Sequence, residues 1–255
     1  MTLELVTIPC LKDNYAYLLH DAASGETALI DAPEAGPILA ELKARRWRLD
    51  QILLTHHHWD HIDGVGEIVE ATSAEILGAA ADAHRLPPLT RALVEADTVK
   101  IGRETGYVID VSGHTVGHIA FYFPVSGVAF TADSLMAGGC GRLFEGTPAQ
   151  MWDSLSKLRQ LPPETLICSG HEYTASNLRF AATIEPDNAA LTARIARVSK
   201  ARAENRATVP SRLSGELATN PFLRAGEPHI KASLGMADAT DAEVFAEIRA
   251  RKDNF

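Results

Sequence analysis

Cysteine, long apolar runs and positive charge are all scarce in this chain, and each scarcity closes off a class of protein. There are only three cysteines, Cys10, Cys140 and Cys168, an odd number with no C-x-x-C spacing. That argues against a disulfide framework and against a cysteine-ligated zinc site. No apolar stretch approaches the roughly 18 residues of a membrane span. The start, Met1-Thr2-Leu3-Glu4-Leu5, lacks the basic residues and apolar core of a signal peptide. A cytoplasmic location is the expectation. Lys and Arg number 24 against 33 Asp and Glu, a net charge of −9, which disfavours general nucleic-acid binding. The deficit is uneven: residues 1–170 hold 12 basic and 22 acidic side chains, residues 171–255 hold 12 and 11. The acidic first part suits metal cations, and the second has basic side chains to offer an anionic ligand. Neither an internal repeat nor a low-complexity segment is present.

What the chain does have is core-forming material, 46% of 255 residues, and one dense cluster of chemistry. Thr55-His56-His57-His58-Trp59-Asp60-His61 follows the short apolar run Gln51-Ile52-Leu53-Leu54. Such a run reads as a buried strand, so the cluster lies where a strand gives way to a loop. Histidine with a carboxylate suits Zn²⁺, Fe or Mn²⁺. His56 and His58 are two apart and point the same way on extended backbone, while Asp60 and His61 diverge from them and suit a second ion.

Along the chain, residues 3–8, 14–20 and 27–31 read as strands, the last ending on Asp31, either a residue that holds a ligand histidine or an ordinary turn residue. Residues 37–47 have helical spacing, 64–71 suggest a helix and 73–77 a strand. Residues 79–98 are ambiguous. Strands are expected again at 106–111, 119–123, 128–131 and 165–168. Thr147-Pro148-Ala149-Gln150 has the form of a capping box opening a helix whose inner face is Met151, Leu155 and Leu158, and Thr240-Asp241-Ala242-Glu243 opens another. Residues 188–206 have helical periodicity, no strand signal follows them, and a connector spans about 207–236. Strand ends in the first part carry His or Asp at 55–61, 114, 133 and 171, so loops at one sheet edge converge on one place. Cys140, between two glycines, reads as a buried inert thiol.

The order His56-x-His58-x-Asp60-His61, then His114, Asp133 and His171, resembles the metallo-β-lactamase superfamily. Gly138-Gly139-Cys140-Gly141-Arg142-Leu143-Phe144-Glu145-Gly146, Gly170-His171-Glu172-Tyr173-Thr174 and Arg249-Ala250-Arg251-Lys252-Asp253 narrow this to a resemblance to glyoxalase II, the hydroxyacylglutathione hydrolases. The resemblance implies an α/β fold, a four-layer αββα sandwich over residues 1–172 with a smaller helical domain at 173–255. It implies two divalent metals, zinc first, with iron or manganese as alternatives. His56, His58 and His114 would hold one, Asp60, His61 and His171 the other, with Asp133 bridging. His118 would be a supporting or strand residue, and His57 would point away.

The implied reaction is hydrolysis of S-D-lactoylglutathione to glutathione and D-lactate by a metal-bridging hydroxide, with Asp60 and Asp133 in catalytic roles. Two cations lower a water's pKa towards about 7, and a thiolate leaving group, with a conjugate acid near about 8.5, needs no dedicated general acid. The substrate contacts implied are Arg142, Phe144, Tyr173, Arg249 and Lys252, the last two on one helix face. Some family members have Lys and Tyr where this chain has Arg142 and Phe144; the first change keeps the charge and the second removes a hydroxyl. A monomer is expected. The rival readings are a glutathione persulfide dioxygenase with a single iron, which shares the histidine motif, and another hydrolase of the fold, such as a lactonase or β-lactamase.

Overall fold

The structure, a computed structural model, describes residues 2–255. The chain packs as two compact units, residues 1–110 with 116–131, and residues 111–115 with 132–255. This division by packing is a different line from the expected 172/173 boundary, which is a division by role.

The first unit opens with three antiparallel strands, β1 (Glu4–Cys10), β2 (Asn14–Asp21) and β3 (Glu26–Ile30). Every residue of β2 is buried, because it is covered on both faces. The chain then makes parallel connections, which need crossover segments to carry it back. Helix α1 (Ala35–Arg45) leads to β4 (Gln51–Leu53). A short helical turn α2 (Trp59–Ile62) and helix α3 (Val65–Thr72) lead to β5 (Glu75–Ala79), and β6 (Arg91–Leu93) follows. The sheet order is β1-β2-β3-β4-β5-β6. Ile38 and Leu42 of α1 and Val65 and Ile68 of α3 bury against Leu29, Ile52 and Leu54 in one cluster. Each such side chain contributes about 1.5–3 kcal/mol when fully buried.

Strands β7 (Thr98–Ile101), β8 (Glu104–Asp110), β9 (Ile119–Phe123) and β10 (Val128–Ala132) form an antiparallel meander. Its inner face meets the first sheet through Phe130, whose ring lies 5.4 Å from Tyr17. Within this unit the layering is therefore helix, sheet, sheet. The ambiguous stretch 79–98 resolves into a 3₁₀ turn at Ala80–Asp82 and the strand β6. Strand β7 escaped the sequence reading because its alternation, exposed-buried-exposed-buried, spans only four residues.

The second unit begins its ordered elements with a hairpin of two-residue strands, β11 (Leu135–Met136) and β12 (Gly139–Cys140). Helix α4 (Pro148–Leu158) has the expected capping box, with Thr147 and Gln150 bonding reciprocally, and Met151, Leu155 and Leu158 buried. Strand β13 (Leu166–Ser169) follows, then α5 (Thr174–Ile184) and α6 (Ala189–Ala203). The expectation that no strand follows is corrected by β14 (Ser211–Arg212), which pairs antiparallel with β13. Two residues carry no periodicity, so pairing alone defines it. The expected connector likewise holds α7 (Leu213–Thr219) and α8 (Pro228–Ser233), before α9 (Asp241–Asp253) starts at the Thr240–Glu243 capping box. Among the described residues no helix is long and apolar enough to cross a membrane.

Candidate metal centre

In the first unit the site begins where β3 and β4 end side by side. Asp31, just past β3, has a left-handed backbone, φ 55°, a conformation that Asp tolerates better than most residues. Its carboxylate is buried and fully engaged. Oδ1 accepts from the Thr55 backbone N–H at 2.8 Å, and Oδ2 accepts from the Thr55 hydroxyl and from His61 Nδ1, both at 2.8 Å. Asp31 is thus the residue that holds a histidine, one of the two roles the sequence left open. Its single proton given to Asp31, the Thr55 oxygen accepts from His56 Nδ1 at 3.0 Å. His56 and His61 are both fixed by these bonds as Nδ1–H tautomers, which leaves Nε2 of each as the lone-pair nitrogen.

His56 Nε2 lies 3.1 Å from His58 Nδ1, two nitrogens aimed at one point as their two-residue spacing required. Asp60 is held by Asn14, whose Nδ2 donates to the Asp60 carbonyl at 2.9 Å and to its Oδ2 at 3.1 Å. Asn14 is buried and was missed by sequence reasoning. Its only signal is a polar residue just ahead of the run Tyr15-Ala16-Tyr17-Leu18-Leu19. His57 turns aside to the fully buried Asp82, 3.0 Å from its Nδ1. His118 stacks on the His56 ring at 4.6 Å, a packing role that agrees with its reading as a supporting residue. The loop folds back on α1 at Gly64, where an added Cβ would stand 2.7 Å from the Glu34 carbonyl carbon.

In the second unit His114, Asp133 and His171 are all buried. His114 Nδ1 donates to the Arg142 carbonyl at 2.7 Å, so Nε2 is again the lone-pair nitrogen. Oδ2 of Asp133 lies 3.5 Å from His114 Nε2 and 3.3 Å from His171 Nε2. One carboxylate oxygen thus stands between two imidazole nitrogens. Imidazole nitrogens and carboxylate oxygens without thiolate fit a borderline divalent ion. Cys140 is no rival: burial pushes its thiol up to about 11, leaving it protonated at neutral pH.

Two of the remaining candidates, Phe144 and Tyr173, lie against those histidines. Phe144 sets its ring edge-on to His114 at 5.3 Å, and Tyr173 stacks on His171 at 4.6 Å; both are largely exposed on their other sides. Arg142 is exposed and reaches Asp253 at 3.4 Å. Arg249 shares that carboxylate oxygen at 2.9 Å, donates to the Cys140 carbonyl at 3.0 Å, and is only 5% exposed. Its fork is occupied by the protein itself. Lys252 lies over Phe180 and Phe255 at 5.3 and 5.1 Å, and burial, with Arg249 and Arg179 nearby, holds its pKa below the ordinary lysine value.

Two family models cover nearly the whole chain: the metallo-beta-lactamase superfamily over residues 12–171, and the hydroxyacylglutathione hydrolase C-terminus over residues 172–255. A hydroxyacylglutathione hydrolase of Cereibacter sphaeroides is 68% identical over the full length of both chains, and one of Ruegeria pomeroyi is 63% identical, also over both full lengths. Among solved structures, the B3 metallo-beta-lactamase BLEG-1 superposes with TM-score 0.68 at 22% identity, covering 86% of this chain and 99% of that one. The di-iron-bound form of TTHA1623 is 30% identical with TM-score 0.58, covering 66% and 91%. The fold is thereby the α/β sandwich of the metallo-β-lactamases, with a C-terminal helical region.

Proposed function

The chain belongs to the hydroxyacylglutathione hydrolase (glyoxalase II) family of the metallo-β-lactamase superfamily, and from that premise we propose how its residues divide the work. It is a thioester hydrolase that cleaves S-D-lactoylglutathione and related 2-hydroxyacyl thioesters to glutathione and the hydroxy acid, and it binds divalent metal. The number and identity of the ions and the roles of single residues are our reading. Two ions are held per chain, zinc being the ion proposed. His56, His58 and His114 take one, Asp60, His61 and His171 the other, and Asp133 lies between. The observation that carries this reading is Asp133 Oδ2 flanked by two histidine nitrogens, that of His114 oriented by the hydrogen bond from its Nδ1 to the Arg142 carbonyl.

When bound, divalent ions supply a water acidified towards a pKa of about 7 and a Lewis acid for the carbonyl oxygen. The Asp133 carboxylate orients the attacking water. The leaving thiolate, with a conjugate acid near about 8.5, departs without a general acid, which agrees with the inert state of Cys140. Recognition falls to residues 173–255 together with Arg142 and Phe144. Arg142 and Lys252 meet the glutathione carboxylates, Phe144 and Tyr173 form the walls of the thioester site, and Arg249 holds the segment at Cys140 in place while adding charge. The three cysteines are free and buried, which suits a reducing compartment, and we place the enzyme in the cytoplasm.

Steady-state hydrolysis of S-D-lactoylglutathione, with metal content determined on the same sample, tests the reading. Turnover with two ions per chain is expected. One iron per chain with oxygen uptake on glutathione persulfide would overturn it.

A further inference from the structure

The Gly-rich stretch between Asp133 and Phe144 is a hairpin that cannot hold its own shape. Its strands β11 and β12 are two residues each, and even full-length isolated hairpins are marginal in water. Its backbone polar groups are instead met one by one by side chains from far along the chain. Asn220 Nδ2 donates to the carbonyls of Met136 and Gly139, at 3.2 and 2.9 Å. Asn177 Nδ2 donates to the Ala137 carbonyl at 3.2 Å. Arg249 donates to the Cys140 carbonyl. Glu216 Oε2 accepts the Gly138 N–H at 2.7 Å. The glycines permit this approach: a Cβ at Gly139 would lie 2.6 Å from Asn177 Nδ2, and one at Gly138 would lie 2.7 Å from Leu178.

The clamp is itself well anchored. Glu216 is fully buried, paired with Arg194 and accepting from Ser211 at 2.6 Å and Asn220 at 3.2 Å. The chain that leaves the hairpin, residues 141–144, packs on Asp133 and His114. Gly141 N bonds Ser134 O, and the Gly141 Cα is wedged so tightly that a Cβ would fall 2.0 Å from the Asp133 carbonyl and 2.8 Å from His114 Nδ1. The next carbonyl, that of Arg142, accepts the Nδ1 proton of His114, and Phe144 N bonds the His114 carbonyl.

We propose that Asn220, with Asn177 and Glu216 beside it, is a positioning residue for the metal centre. By clamping residues 136–140 it sets where Asp133 stands and which tautomer His114 presents. The helical region would thus tune metal binding as well as recognise substrate. This rests on the assignment of His114 and Asp133 as ligands.

The test uses full-length Asn220→Ala, Asn177→Ala and a matched control, Asn188→Ala. Asn188 caps α6 and bonds Ala218 within the same unit without touching the hairpin. Zn²⁺ affinity is measured by competition with a chromophoric chelator, beside thermal unfolding and kcat and KM for S-D-lactoylglutathione. Loss of a partner behind a metal ligand typically weakens binding about 10- to 100-fold, and Asn220→Ala should fall in that range with a matching drop in kcat. Asn177→Ala should move the same way by less, and Asn188→Ala should lower the melting temperature with affinity within about twofold of wild type.

A folded Asn220→Ala with wild-type affinity overturns the proposal, as does an equal affinity loss in Asn188→Ala. Should Asn220→Ala fail to fold, Asn177→Ala decides: weaker affinity than the control supports the clamp, and wild-type affinity or failure to fold overturns it. Wild-type protein that binds zinc yet leaves the thioester intact would strike the functional reading alone.

Discussion

Asp31 Oδ2 accepts the Nδ1 proton of His61 at 2.8 Å, with both groups buried. The same oxygen takes the Thr55 hydroxyl proton, so one carboxylate sets the tautomer of two histidines proposed as ligands, His61 directly and His56 through Thr55. In Asp31→Asn the Thr55 amide claims the remaining carbonyl oxygen, and an NH₂ group then faces His61 Nδ1. The imidazole is driven to its Nε2–H form, which cannot ligate. Zn²⁺ affinity should fall about 10- to 100-fold with little change in secondary structure, read by chelator competition and circular dichroism.

On the proposed assignment Asp133→Ala and His171→Ala each remove a ligand, so each should cost at least about 100-fold in kcat, the upper end of what a partner behind a ligand costs. Metal content measured by atomic emission should drop from two ions per chain towards one. Wild-type kcat in either variant would sink the two-metal reading.

Lys252 and Arg249 should part company, although the sequence pairs them as substrate contacts on one helix face. Lys252→Ala loses a charge that lies over Phe180 and Phe255 and leaves the Cys140 segment untouched, so it should raise KM for the glutathione thioester by about 10-fold, the worth of one charge-assisted hydrogen bond, with kcat nearly unchanged. Arg249→Ala also releases the Cys140 carbonyl, so kcat should fall together with the rise in KM. Steady-state kinetics on both variants separates them.

The depressed pKa of Lys252 gives recognition a pH limit. Burial, reinforced by Arg249 and Arg179, disfavours the ammonium form, so it loses its proton below the ordinary 10.5. The charged form binds the anion. KM should therefore rise as pH climbs through that lowered value, and Lys252→Arg should move the rise beyond the measurable alkaline range. A pH profile of KM that is the same in both proteins would count against Lys252 as a substrate contact.

Glu185 offers a stability test away from the metals. Burial pushes its carboxyl up, but the two bonds from Arg224, at 2.8 and 2.9 Å, and one from His229 outweigh this and hold it below the ordinary range. A folded-state pKa below the unfolded one means stabilisation that is complete above the unfolded value, about 4.3 for Glu, and is lost as pH falls through the folded value. Urea midpoints should decline through that window in wild type and flatten in Glu185→Gln.

Chemistry that is local along the chain was legible from residues alone. The His56–His61 spacing, the capping boxes at Thr147 and Thr240, and the strands that end on His114, Asp133 and His171 all announce themselves within a few positions, because ligand geometry, helix capping and strand alternation act over that distance. What the tertiary structure decided were the partners. Asn14 reaches Asp60 across 46 positions, Asp31 reaches His61 across 30, and Asn220 reaches Gly139 across 81. A buried Asn or Glu leaves no periodic mark, since its hydrogen bonds are satisfied wherever folding brings an unmet donor or acceptor. The candidate ligands could be proposed in advance for that reason, whereas the residues that hold them emerged only from the folded chain.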